Sequence, residues 1–145
     1  MISPILWMAV CAWAIAQGAK MVINLVVYHK VDWKSLTSSG GMPSSHSALV
    51  CACATGVGVL YGLNTPMFAM AVVLALVVMY DAANVRKATG EQAKVLNYIM
   101  KNWDQHKPEL FADDLKELVG HTPLQVCMGA VLGILVGLAG SLLVV

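Results

Sequence analysis

Five side chains in this sequence have the chemistry to bind and transfer a phosphoryl group. They are two histidines, two cations and a carboxylate from separate segments of the chain: Lys20, His46, Asp81, Arg86 and His121. One histidine can attack phosphorus while the other protonates the leaving oxygen, and the cations can stabilise the charged equatorial oxygens. This set indicates phosphoryl transfer that needs no metal and no cofactor, provided that the fold brings the residues together.

The segment before His46 has the composition of an anion-binding turn. It reads Gly40-Gly41-Met42-Pro43-Ser44-Ser45-His46-Ser47. Gly41 permits a positive φ and a close approach of backbone to ligand, and Ser44 or Ser45 can cap the helix that follows. Since a helix N-terminus attracts anions, we predict that these residues bind phosphate beside His46. A plain capped turn between two membrane helices is the alternative.

Asp81 and Arg86 follow an aliphatic run in the segment Tyr80–Lys87. An ionisable residue such as Asp81 at membrane depth is costly and is usually paired and functional. The planar guanidinium of Arg86 suits a phosphate or a carboxylate. Arg86 is equally explained as a side chain that extends to the interface from a plain helix end.

Lys20 shares one helix face with Gln17 and Asn24, because the three residues are three and four positions apart. A polar stripe on a helix in lipid should face the interior of the bundle. Lys20 is then either a phosphate ligand or the partner of Asp81.

His121 directly precedes a predicted helix start. Thr122, Pro123 and Gln125 fit a capping box with proline at the first helical position. Taken alone, His121 would be interpreted as a linker histidine before a well-capped span. It becomes a candidate site residue because the other four residues are predicted to lie in the same half of the membrane.

The elements that carry these residues are predicted to be membrane helices. The chain has 145 residues, of which 59% are hydrophobic and 12% charged, whereas soluble domains have about 25% charged residues. We therefore predict an all-α integral membrane bundle, formed by one domain over residues 1–145. Four apolar runs are the predicted transmembrane spans: 5–28, 46–63, 66–83 and 122–145. A net charge of +1 argues against a nucleic-acid partner.

Residues 84–120 are predicted to form a polar insertion with amphipathic surface helices, the second of them at Pro108–Val119. The basic residues concentrate in this insertion and in the loop 29–45, which places both on the cytoplasmic side of the plasma membrane. All five candidate residues then lie in the cytoplasmic half.

Glycines recur every fourth residue in two of the predicted spans. Gly58 and Gly62 form one pair, and Gly129, Gly133 and Gly137 form a longer series. Such a face allows close helix packing, either inside the bundle or along the seam of a homodimer.

Three runs of the sequence, in order, resemble the divergent branch of the type 2 phosphatidic acid phosphatase superfamily, which is related to vanadium haloperoxidases. They are GGMPSSHSALV, VVMYDAANVRKATGEQAKVLN and LKELVGHTPLQV. The resemblance implies metal-independent dephosphorylation of a membrane lipid through a phosphohistidine. It implies His121 as the nucleophile, His46 as the acid in Pro-Ser-Ser-His, and Lys20 and Arg86 as phosphate ligands.

Two features depart from the pattern of the main superfamily. Arg86 and His121 are separated by the insertion, and Gln125 stands where a carboxylate normally orients the nucleophile. Gln125 could accept a hydrogen bond from the imidazole, and Asp81 is the candidate to replace the missing charge.

The leading hypothesis is a lipid-phosphate phosphatase at the cytoplasmic face, with phosphatidylglycerophosphate or phosphatidate as substrate. The alternative is an anionic-lipid-binding or scaffold protein with weakened catalysis. A small transporter is the weakest reading, because the sequence shows no inverted repeat.

Overall fold

Five helices make up nearly all of the described chain. The computed structural model describes residues 3–28, 41–102, 115 and 121–144. The helices are α1 (Pro4–Tyr28), α2 (Ser45–Tyr61), α3 (Pro66–Tyr80), α4 (Arg86–Lys101) and α5 (Pro123–Val144). A π-helical turn, Asp81–Val85, joins α3 to α4 without a break. Within these described ranges there is no strand, and the all-α prediction is confirmed.

The helices agree with the predicted apolar runs to within a few residues, and they confirm a membrane helical bundle. Three segments are long and apolar enough to cross a membrane: Pro4–Val26, Pro66–Lys101 and Pro123–Val144. The apolar helix α2 has only 17 residues. It is about 25 Å long, slightly less than the roughly 30 Å of a bilayer core. The count of four complete spans therefore stays a prediction.

Helix α2 is the centre of the bundle, and α1, α3 and α5 pack around it. Ten of its residues are buried, whereas Ala75 is the only buried residue of α3. Small side chains make this possible: Ala12 and Ala16 of α1 are fully buried together with Ala48 and Ala52 of α2. The backbones of α1 and α2 can therefore approach closely.

Three of the four glycines of α5 pack directly on the backbone at the start and along the length of α2, while Gly140 packs on Met8. The three face carbonyl groups that are also four residues apart: Gly129 faces Ser44, Gly133 faces Ala48, and Gly137 faces Ala52. A Cβ atom at Gly133 would overlap the Ala48 carbonyl oxygen and lie 2.9 Å from the Cβ of Cys51. The glycine repeat was predicted to serve either packing inside the bundle or the seam of a homodimer, and the structure supports packing inside one chain. A homodimer stays a prediction.

The polar insertion begins with the expected amphipathic helix. Gly90, Ala93 and Asn97 form the buried side of α4, while Lys87 and Lys94 are exposed. Because α4 continues α3 through the π-helical turn, it is not a separate surface helix. The second predicted helix, Pro108–Val119, lies outside the described residues except for Leu115.

Replacing Gly133 by alanine should destabilise the bundle, because the new methyl group must push apart two backbones. We expect a loss of about 1–3 kcal/mol in unfolding free energy, typical of overpacking. Gly18→Ala is the matched control, since a Cβ at Gly18 meets nothing within 4 Å. It should be neutral or add about 0.5–1 kcal/mol. Unfolding by denaturant in detergent checks both, and equal stabilities would contradict the proposed α2–α5 packing.

Candidate functional site

Three segments meet at the end of the bundle where α2 and α5 begin, here called the polar end. The Ser44 N–H donates to the Gln125 carbonyl (3.0 Å), which joins the starts of α2 and α5. The His121 N–H donates to the Ala82 carbonyl (3.1 Å), which joins the start of α5 to the π-helical turn. These backbone bonds place the segments that carry His46, Asp81 and His121 side by side.

Lys20 reaches the polar end from α1. Its Nζ donates to the Ser45 Oγ at 3.2 Å, and the residue is only 3% exposed. Gly41, at φ 93°, lies against its methylene groups: a Cβ there would be 3.7 Å from the Lys20 Cδ. Gln17 is also buried, whereas Asn24 is half-buried. Lys20 and Gln17 of the polar stripe thus face the interior as predicted. Lys20 was considered either as a phosphate ligand or as the partner of Asp81. Among the described residues it contacts the serine turn and not Asp81, and its role as a phosphate ligand stays a prediction.

The two serines before His46 have different roles. Ser44 is the cap of α2: its Oγ accepts from the Ser47 N–H at 3.4 Å and from the Ser47 hydroxyl at 3.1 Å. Ser45 instead accepts from Lys20. The sequence left open which serine caps the helix, and the structure assigns the cap to Ser44. Ser45 is then the serine whose hydroxyl lies beside a cation.

His46 and His121 face each other across the polar end. Their ring centroids are 6.3 Å apart, and the planes are nearly perpendicular at 79°. His121 is 1% exposed, and neither ring nitrogen has a hydrogen-bond partner among the described residues. An unsatisfied buried polar group costs about 1–3 kcal/mol. Such a cost is consistent with a site that is completed by a polar ligand.

The pKa of His121 is lowered from 6.5 to about 4. Burial is the largest cause, followed by the positive charges of Lys20, His46 and Arg86. Its imidazole is therefore neutral near pH 7. A neutral imidazole retains a nitrogen lone pair, as a nucleophile or a general base requires.

Asp81, the first residue of the π-helical turn, forms an ion pair with Arg86, the first residue of α4. The Arg86 Nε donates to the Asp81 Oδ2 at 2.8 Å, and both side chains are about two-fifths exposed. Asp81 was the candidate to replace the charge that is missing at Gln125, but it forms no hydrogen bond with either ring nitrogen of His121 in the described structure. In the described structure its carboxylate holds the arginine instead.

Gln125 also differs from the role considered for it. Its Oε1 accepts from the Thr122 N–H at 3.0 Å, and its own N–H donates to the Thr122 Oγ1 at 3.3 Å. The predicted capping box is thereby confirmed. The amide oxygen of Gln125 is used in the cap, and the described structure shows no hydrogen bond between it and the ring of His121.

Two positioning contacts were missed by the sequence reasoning. One is the Ala82 carbonyl that binds the backbone of His121; no sequence signal identifies a π-helical turn. The other is Asn97, whose amide binds both the N–H and the carbonyl of Leu115 at 2.9 Å. A polar residue within the buried stripe of α4 was a readable signal for this second contact.

No group of three or more histidine, cysteine, aspartate or glutamate side chains in the described part could hold a metal ion. Metal-independent chemistry stays a prediction, because it concerns the reaction and requires an assay.

Comparison with known proteins identifies relatives over nearly the whole chain. The Divergent PAP2 family matches residues 1–136. A protein of Bacillus subtilis (strain 168), named "Uncharacterized membrane protein YuiD", is 42% identical in an alignment 135 residues long that covers 85% of this chain and 84% of that protein. No solved structure matches the chain.

His121 should remain neutral in mildly acidic solution, where an ordinary histidine gains a proton. With a pKa of about 4, its nitrogen NMR shifts should stay constant from about pH 7 to about pH 5. Lys20→Met should move this pKa back toward 6.5, because one of the positive charges that lower it is lost. A His121 titration that centres near pH 6.5 in the unmodified protein would contradict the buried, cation-flanked site.

Proposed function

Because the chain belongs to the Divergent PAP2 family and two histidines meet two cations at one end of its bundle, we propose that it is a metal-independent lipid-phosphate phosphatase. The juxtaposition of His46 and His121 beside Lys20 and Arg86 carries this proposal. Phosphate-ester hydrolysis is the reaction for which two histidines and two cations suffice.

In the proposed reaction, His121 is the nucleophile and His46 is the acid. A ring nitrogen of His121 forms a bond to phosphorus while the bond from phosphorus to the lipid oxygen breaks. His46 donates its proton to that oxygen and releases the lipid alcohol. Water then attacks the phosphohistidine, His46 takes the proton, and inorganic phosphate leaves. The low pKa of His121 supports this assignment, because the attacking imidazole must be neutral.

The phosphate oxygens would be bound by Lys20 and Arg86. Lys20 is buried beside Ser45 without a carboxylate partner among the described residues. The ion pair with Asp81 fixes the Nε side of Arg86 and restricts the guanidinium to few orientations. Gly41 and the start of α2 supply backbone close to Lys20. Asp81 is thus proposed as the residue that positions Arg86.

A membrane lipid is the proposed substrate because the site is attached to an apolar bundle. Three described segments are apolar and long enough to cross a membrane. From the distribution of basic residues we infer that the site faces the cytoplasm at the plasma membrane. Phosphatidylglycerophosphate and phosphatidate suit this assignment, since both present a phosphate monoester at the interface.

Two observations favour the second candidate, an anionic-lipid-binding or scaffold protein. His121 is 1% exposed, so catalysis needs a movement that opens a path to its ring. In addition, the described structure places no carboxylate against that ring. A protein that only binds an anionic head group needs neither feature.

Purified protein in detergent should release phosphate from phosphatidylglycerophosphate or phosphatidate in the presence of a chelator. His121→Ala should abolish release, because the nucleophile is lost. His46→Ala should lower kcat by about 10²–10⁴-fold, which is the usual contribution of a general acid. Phosphate release quantified across both lipids and both variants checks the mechanism.

Cys127→Ala is a suitable control, because Cys127 is an exposed residue of α5 outside the site. It should release phosphate at the rate of the unmodified protein. Full activity of both histidine variants would refute the mechanism. Saturable binding of these lipids without any turnover would establish the binding protein instead.

A further inference from the structure

An apolar groove runs along the outer face of α3 and ends at the ion pair of the polar end. Its wall combines apolar side chains with one carboxylate: Leu76, Val77, Tyr80, Asp81 and Val85. The groove has a volume of about 540 Å³. Asp81 is therefore part of two structures, the groove and the ion pair with Arg86.

A second groove continues the first toward the other end of α3. It has a volume of about 410 Å³ and shares Val77 with the first: Ala69, Met70, Val73, Leu74 and Val77. From Ala69 to Val85 the two grooves extend about 24 Å along the helix, at 1.5 Å per residue. Most of the roughly 30 Å bilayer core is covered by this length. An extended hydrocarbon chain can therefore lie in the combined groove, here called the α3 groove.

Charge distinguishes the α3 groove from a general lipid-facing surface. Arg86, which donates to Asp81 at the end of the groove, also adds positive charge near His46 and His121. The Asp81 carboxylate in the wall is paired with the Arg86 Nε, and the two terminal nitrogens of that guanidinium have no partner among the described residues. A ligand that fills the groove and reaches this end can therefore be apolar along its length and place an anionic head against these nitrogens.

Another groove of the molecule provides the comparison. It lies between α1 and α5, has a volume of about 520 Å³, and is lined by apolar residues and glycine without any charged side chain: Pro4, Trp7, Met8, Cys11, Ile15, Val136, Ala139, Gly140, Leu143 and Val144. It can accommodate a hydrocarbon chain, but its walls offer no cation for a phosphate. The two grooves therefore do not differ in volume enough to identify a site for a phosphorylated lipid. The presence of Arg86 at the end of the α3 groove favours that groove.

We propose that the α3 groove holds an acyl chain of a phosphorylated membrane lipid whose phosphate lies at Arg86, so that the lipid reaches the histidines from within the bilayer. This deepens the proposed function and rests on it for the fate of the phosphate. The lipid binding itself requires only the groove and the cation.

Binding can be tested without catalysis by photo-crosslinking in vesicles that contain radiolabelled phosphatidate. A photo-reactive benzoylphenylalanine replaces Leu76 in the α3 groove or, as the matched control, Ala139 in the α1–α5 groove. We expect strong labelling from position 76 and weak labelling from position 139. Unlabelled phosphatidate should compete better than diacylglycerol, which lacks the phosphate, and Arg86→Gln should remove this preference.

Turnover gives an independent test through Val77→Trp, which fills the middle of the α3 groove. The ratio of phosphate release from long-chain phosphatidate to that from a water-soluble phosphate monoester should fall at least about tenfold, because several methylenes lose their apolar contact. Ala139→Trp should leave the ratio within about twofold of the unmodified protein, since that groove is not used.

The outcomes separate the two proposals. Labelling from position 76 that is no stronger than from position 139, or that joins two copies of the chain, would overturn the α3 groove as a lipid site. If Val77→Trp left the ratio of phosphate release from the two substrates unchanged, the α3 groove would also be overturned as a lipid site, whereas the proposed phosphatase activity would stand. Selective labelling without phosphate release from any substrate would support the groove and refute the phosphatase.

Discussion

The close backbone contact between α2 and α5 is the constraint on which the rest of the molecule depends. Each glycine of the series on α5 faces a carbonyl of α2 at the same offset in sequence, which fixes the two helices parallel and in one register. The N-termini of α2 and α5 therefore lie side by side, where the Ser44 N–H donates a hydrogen bond to the Gln125 carbonyl. If α5 slipped along α2 by one helical turn, His46 and His121 would be displaced relative to each other by about 5.4 Å. This displacement is nearly as large as the present distance of 6.3 Å between their ring centroids.

This parallel arrangement also concentrates positive potential at the polar end. Two helix N-termini carry partial positive charge there, and Lys20 and Arg86 add full charges. Among the described residues Asp81 is the only carboxylate paired within the cluster, since the other described ion pair joins Lys94 and Glu91 on α4. Burial is the main cause of the low pKa of His121, and the positive charges of Lys20, His46 and Arg86 add to it. The same charges give the polar end a positive potential that would attract an anion. Under the proposed function, this anion is the phosphate group of the substrate.

Sequence patterns predicted the features that depend on neighbouring residues in the chain. The apolar runs located α1, α2, α3 and α5 within a few residues, and the Thr122–Gln125 capping box was correct because its bonds span one helical turn. The inward face of Lys20 followed from helical spacing.

Choices between partners that are distant in sequence were not predictable in this way. The sequence was equally compatible with Lys20 as a phosphate ligand and as the partner of Asp81, and it did not indicate the contact with Ser45. The glycine repeat fitted both a bundle and a dimer. The π-helical turn left no pattern at all, although it brings Asp81 onto Arg86 and the Ala82 carbonyl onto the backbone of His121. These outcomes depend on how four helices fill one another's grooves, which a single sequence does not encode locally.

The way in which His121 is held bears on the proposed reaction. Its backbone N–H is anchored to Ala82, which fixes the position of the residue but leaves rotation of the ring to packing alone. A carboxylate on the ring would fix that rotation and would stabilise the positive charge that develops when nitrogen bonds to phosphorus. Here Gln125 is used in the helix cap and Asp81 in the ion pair. In the proposed reaction the phosphate must then supply the compensating negative charge itself, which favours a dianionic monoester over a diester as the proposed substrate.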